Sequence, residues 1–135
     1  MRAVLTALAM LVATSAPAVA NCPLDLGRGL GWAVFSSQHL LAMRPDPPQI
    51  EVGEPFALLL NVCDRRNQPA QLVAIDATMP EHAHGMNYRP RLIDLGDGRY
   101  RVEGMVFHMP GRWELALDVR SGDTTERLTH DMMVQ

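Results

Sequence analysis

A chain of 135 residues with a formal net charge of −3 can hold one domain with a real core, is too short for two of ordinary size, and presents no basic excess suited to nucleic acid. Its two cysteines limit any disulfide framework to a single bridge.

Residues 1–20, MRAVLTALAMLVATSAPAVA, join an arginine at position 2, an apolar run and an Ala18-Val19-Ala20 ending, the three parts of a secretory signal peptide. The mature chain is therefore expected to begin at Asn21, in the periplasm or outside the cell, one unit more negative than the whole. Thr6, Thr14, Ser15 and Pro17 interrupt the run, and a spanning helix needs roughly 20 mostly apolar residues, so no stable membrane span is expected after cleavage. A lipoprotein anchored at Cys22 fits less well, because Asn21 is not the small residue that such processing requires. An oxidising compartment favours a Cys22 to Cys63 disulfide over two free thiols. Metal ligation by the pair is disfavoured, since neither has a second cysteine or a histidine at ligand spacing.

Residues 21–37, with glycines at 27, 29 and 31, read as an irregular lead-in that matches no phosphate loop. From His39 a short strand leads to a corner at Pro45, Pro47 and Pro48, and a second strand spans about Phe56 to Val62; prolines at 45, 47, 48 and 55 forbid a helix here. A turn at 65–70 precedes QLVAIDATM, which alternates Leu72, Ala74 and Asp76 against Val73, Ile75 and Ala77 as a half-buried strand does. Gly96-Asp97-Gly98 supplies the positive φ of a hairpin turn, and beyond it Tyr100, Val102 and Gly104 alternate with Arg99, Arg101 and Glu103. After a turn at Pro110-Gly111 comes a strand with Trp113, Leu115, Leu117 and Val119 inward. A Ser121-Gly122-Asp123 turn then leads to a last strand ending at Val134. About seven strands and no apolar helical stripe past residue 20 predict an all-β, immunoglobulin-like sandwich over residues 38–135.

The chemistry concentrates in MPEHAHGM, residues 79–86. In an extended segment His82, His84 and Met86 point the same way, and two imidazoles with a thioether suit copper, the thioether selecting Cu(I) and the imidazoles tolerating Cu(II). Pro80 breaks the alternation and leaves the direction of Met79 open. A solvated turn is the competing reading, since methionine is often core filler. Met105, His108 and Met109 form a second cluster, which folding about residue 97 brings opposite residue 86. Along a regular strand Met105, Phe107 and Met109 share a face opposite His108; with Phe107 buried, the methionines go to the core and His108 reaches the site. His39 and His130 stand alone and read as surface or strand-end residues; Trp113 reads as a core anchor.

An enzyme is not expected: the chain lacks a nucleophile elbow, a free Cys-His pair and a His-Glu-x-x-His helix, and Glu81 beside His82 is one carboxylate in an exposed loop.

PPQIEVGEPFALLLNV, DATMPEHAHGM and GDGRYRVEGMVFHMPGRWELALDV together resemble the YtkA-like domain family, which is similar in turn to the FixH family. The most telling pieces are Met-Pro-x-His-x-His-Gly-Met at 79–86 and Met-Pro-Gly-x-Trp at 109–113, on either side of the glycine hairpin. The resemblance covers roughly residues 38–135. It implies a small exported or tethered sandwich that handles copper or serves respiratory oxidase assembly, with an oxidase-assembly or copper-transport protein as partner. The ligands it implies are Met79, His82, His84, Met86 and Met109, to which the spacing adds His108 and leaves Met105 between ligand and core. Unlike FixH-like members the chain has no spanning helix after its leader, which favours a copper chaperone or buffer. The alternative is a non-catalytic interaction module that assists oxidase assembly without binding metal.

Overall fold

The computed structural model describes Cys22 and residues 24–135, so the expected signal peptide and the mature terminus at Asn21 lie outside the described residues. Nine strands follow in order: β1 (Trp32–Phe35), β2 (His39–Asp46), β3 (Pro55–Asp64), β4 (Gln71–Met79), β5 (His84–Gly85), β6 (Arg91–Gly96), β7 (Arg99–Val106), β8 (Gly111–Ser121) and β9 (Thr124–Val134). A 3-10 turn, Pro80–His82, separates β4 from β5. The strands form two antiparallel sheets, β1-β2-β3-β7-β6 and β5-β4-β8-β9, packed as a β-sandwich.

The count exceeds the expected seven for local reasons. Within the lead-in expected to be irregular, β1 pairs with β2 from Trp32↔Met43 to Phe35↔Leu40. Gly31 admits it: a Cβ there would lie 2.5 Å from the Met43 carbonyl oxygen. β2 continues through Pro45, which the prolines had suggested was already a corner. Its partner β1 stops at Met43, so the missing amide of Pro45 falls where β2 has become an edge.

Leu41 and Met43 of β2, Leu58, Leu60 and Val62 of β3 and Tyr100 and Val102 of β7 face Trp113, Leu115, Leu117 and Val119 of β8 and Leu128 and Met132 of β9 across the interior. Burying each large apolar side chain contributes about 1.5–3 kcal/mol. Two bulges reset the alternation. On β4 the register steps from Leu72↔Val119 to Ala74↔Asp118, leaving Val73 unpaired and half-exposed, so that Leu72 and then Ala77 and Met79 all face inward. On β7 it steps from Leu58↔Val102 to Phe56↔Met105; Gly104, at φ 78°, absorbs the extra residue, and the inward face passes from Val102 to Met105 and Phe107.

The hairpin between β6 and β7 turns on Asp97 and Gly98, both at positive φ as the tight two-residue turn requires. Gly98 has a second constraint: its carbonyl accepts from the Val62 amide at 2.7 Å, and a Cβ would come within 2.5 Å of the Val62 oxygen.

Polar and covalent ties close the sandwich at one end. His39, expected at a surface or strand end, does begin β2 but has no exposed surface. Its Nδ1 contacts Glu126 Oε1 at 2.5 Å and its Nε2 contacts Ser121 Oγ at 2.8 Å, while Ser36 donates to the same Glu126 oxygen. Burial opposes ionisation of Glu126, but the hydrogen bonds from Ser36 and His39 outweigh it and hold the carboxyl below the ordinary glutamate value. The line Ser121, His39, Glu126 has the order of a proton relay, yet the imidazole is enclosed and both nitrogens are engaged between the sheets, so it acts as a clamp. Cys22 and Cys63 are disulfide-bonded with Cα atoms 5.8 Å apart, tying the segment before β1 to β3. Among the described residues no helix is long and apolar enough to cross a membrane.

Candidate metal centre

β4 delivers the histidine string to one end of the sandwich. At its last residue, Met79, Pro80 cannot continue the ladder and starts the 3-10 turn; Ala83 then adopts a left-handed conformation at φ 53° and reverses the chain. β5 returns antiparallel, pairing Met79↔His84 and Thr78↔Gly85, and the Met86 amide donates to the Ala77 carbonyl at 3.2 Å. The segment is therefore a tight return and not the extended run expected from alternation. His82 sits exposed on the turn, whereas His84 and Met86 are half-buried.

The second string arrives from β7. Met105 and Phe107 are fully buried, and His108 between Phe107 and Met109 is half-buried, as the alternation argument requires once Phe107 goes inside. Phe107 stacks on Trp113 at 4.7 Å and meets the edge of Phe56 at 5.0 Å. The Trp113 indole Nε1 donates to the Met109 carbonyl at 3.0 Å, which fixes the Met-Pro-Gly turn to the first residues of β8.

Between these supports the three histidines form a row. His82 and His84 have ring centroids 5.8 Å apart, and His84 and His108 5.0 Å apart. Trp113 lies edge-on to the last two, at 6.0 Å from His84 and 5.3 Å from His108. The tryptophan read as a core anchor thus also floors the site. Its position five residues after His108, across a Pro-Gly turn, is the sequence signal that could have revealed this.

The thioethers divide. Met79 and Met105 are core residues, at 1% and 0% exposure, and the Met79 methyl lies against Gly111, where an added Cβ would be 2.9 Å away. Both face inward on their strands, so of the seven sequence candidates they are the two that the fold removes from the accessible surface. Met86 and Met109 are partly buried against the core edge.

Among the described residues, no group of three or more His, Cys, Asp or Glu side chains is arranged to hold a metal ion. Glu81, adjacent to His82, is engaged elsewhere: it accepts from Arg112 Nε at 2.7 Å, and Arg112 also reaches Asp131 at 3.0 Å. The hydrogen bond from Arg112 holds the Glu81 carboxyl below its ordinary range. This clamp tethers the 3-10 turn to β8 and β9. The donors left are the imidazoles and the thioethers of Met86 and Met109, a soft set that suits Cu(I) better than ions requiring several anionic oxygens. His108 Nδ1 is buried without a hydrogen-bond partner, as is His130 Nε2 beside Trp32; of the two, only His108 lies against another imidazole.

A family model described as YtkA-like matches residues 44–118, more than half of the chain, and takes in both methionine-proline strings. No curated protein and no solved structure matches the chain.

Proposed function

The chain belongs to the YtkA-like family, and from that premise we propose that it is a copper-binding protein of the periplasm, a chaperone or buffer that carries Cu(I) on imidazole and thioether ligands and performs no turnover. The observation that carries the reading is the enclosed, unpartnered Nδ1 of His108 in a row with His84 and His82. Coordination to a soft ion would satisfy that nitrogen, and Met86 and Met109 are the thioethers near enough to the surface to complete the set. A bonded cysteine pair suits an oxidising compartment, and the expected leader suits export to it.

Competitive titration with bicinchoninate under reducing, anaerobic conditions tests the reading. The protein is expected to withdraw one equivalent of Cu(I), and His84→Ala with His108→Ala to weaken retention by roughly two orders of magnitude or more, since even outer-shell changes at metal sites cost about 10–100-fold. Equal retention by the double variant would rule out this site.

One observation favours the second reading, an interaction module serving oxidase assembly or copper transport. β5 covers β4 only at Thr78 and Met79, and beside the rest of that edge runs a groove of about 630 Å³ lined by Val73, Met86 and Tyr88 together with Asp76, Arg89 and Arg127. An edge strand beside a groove of mixed apolar and charged lining can accept an extended segment of a partner. On this reading the protein leaves Cu(I) with bicinchoninate, while Tyr88→Ala abolishes capture of the partner.

A further inference from the structure

The three imidazoles differ in a way that a single closed site would not need. His82 is exposed; His84 and His108 are half-buried, with His108 Nδ1 enclosed and the indole of Trp113 edge-on to both rings. Metal–nitrogen bonds of about 2 Å place the centroids of two rings sharing one ion roughly 4.5–6.5 Å apart, depending on the angle at the metal. Both neighbouring pairs meet that condition, at 5.8 Å and 5.0 Å, and His84 belongs to both. The ring spacing thus leaves room for one ion shared by either pair, with His84 common to both. The backbone permits the exposed member to act separately: His82 ends the 3-10 turn, Ala83 reverses the chain, and the Glu81 to Arg112 ion pair keeps the turn in place.

We propose, resting on the copper reading above, that His82 is a transfer ligand: Cu(I) is held by His84, His108 and one of the thioethers of Met86 and Met109, and leaves through a His82–His84 intermediate to an acceptor presenting sulfur donors. The step is ligand exchange without redox change. A bond from copper to His82 forms as the bond to His108 breaks, the acceptor's sulfur donors then displace the thioether, His82 and His84 in turn, and copper remains Cu(I) throughout. Thioether acceptors require no proton movement; a thiol acceptor releases one proton to solvent as it binds.

The test separates affinity from rate on the full mature chain, using bicinchoninate for competition at equilibrium and as the acceptor in stopped-flow transfer. His82→Ala is expected to change equilibrium retention by less than about threefold while slowing transfer about tenfold or more, and His108→Ala to weaken retention by at least about tenfold. Because His82 is exposed, its substitution leaves the fold intact, which circular dichroism checks. If His82→Ala weakens retention as much as His84→Ala does, His82 is a holding ligand and the proposal is overturned; transfer at the wild-type rate overturns it as well. Failure of the wild-type protein to withdraw Cu(I) from bicinchoninate is a different result, one that rejects the copper reading itself.

Discussion

Replacing His108 with leucine should make the metal-free protein more stable and its copper-bound counterpart less so. His108 Nδ1 is enclosed without a partner, and an unsatisfied buried nitrogen costs about 1–3 kcal/mol of unreturned desolvation. Leucine removes that cost but forfeits two ring contacts, with His84 at 5.0 Å and Trp113 at 5.3 Å, each about 0.5–1.5 kcal/mol, and returns roughly 1 kcal/mol through the half-burial of its own aliphatic side chain. The balance is a gain of about 1 kcal/mol, which for a domain of this size raises the melting temperature by about 3–5 °C. Copper reverses the order: at a free Cu(I) concentration one hundred times the dissociation constant the wild type gains about 2.7 kcal/mol by binding only the folded state. Scanning calorimetry of both proteins, with and without Cu(I) under anaerobic reductant, reads both effects. If metal-free His108→Leu melts at or below the wild type, the nitrogen is satisfied within the fold and is not held open for a ligand. An equal rise of both proteins on adding copper would remove His108 from the site.

Gly98→Ala combines a positive φ with a Cβ placed 2.5 Å from the Val62 oxygen, and should cost about 2–4 kcal/mol, seen as a lower urea midpoint with unchanged slope. A loss under about 0.5 kcal/mol would mean that the hairpin turn relaxes freely. Glu126→Gln probes the clamp between the sheets. The folded carboxyl is held below its ordinary value, so its contribution is fully present above the unfolded pKa of about 4.3 and is lost as pH falls through the lower folded value. The variant should be about 1–2 kcal/mol less stable at pH 7 and lose less than the wild type on acidification, measured by urea unfolding from pH 7 to pH 3. Parallel pH curves would show that Glu126 contributes nothing to acid sensitivity.

The sandwich was legible where alternation ran undisturbed, as along Trp113, Leu115, Leu117 and Val119. It was less so where a bulge changes phase: Leu72 and Ala77 sit on opposite faces of an uninterrupted strand, yet both are buried because Val73 drops out of register. β1 was hidden because three glycines before it suggested only irregularity, while what matters at Gly31 is the close approach of another strand. The clamp at His39 joins residues some 80 positions apart through side chains that no local pattern connects. For the candidate site, the pairing of the two strings followed from the hairpin; the inward Phe107 sent Met105 and Met109 to the core and His108 to the site, and of these Met105 is buried, Met109 only partly so, and His108 lies beside His84. Alternation failed for His82, because Pro80 converts the segment to a 3-10 turn and leaves that ring exposed. That failure is also what separates one histidine from the other two.

X-ray absorption at the copper edge of the Cu(I)-loaded protein reads the ligand set itself. Two imidazole nitrogens and one thioether sulfur around a single copper are predicted, with the imidazole signal halved in His84→Ala, because His84 is common to both histidine pairs. A first shell of nitrogen and oxygen without sulfur, or a spectrum unchanged by His84→Ala, would contradict that set.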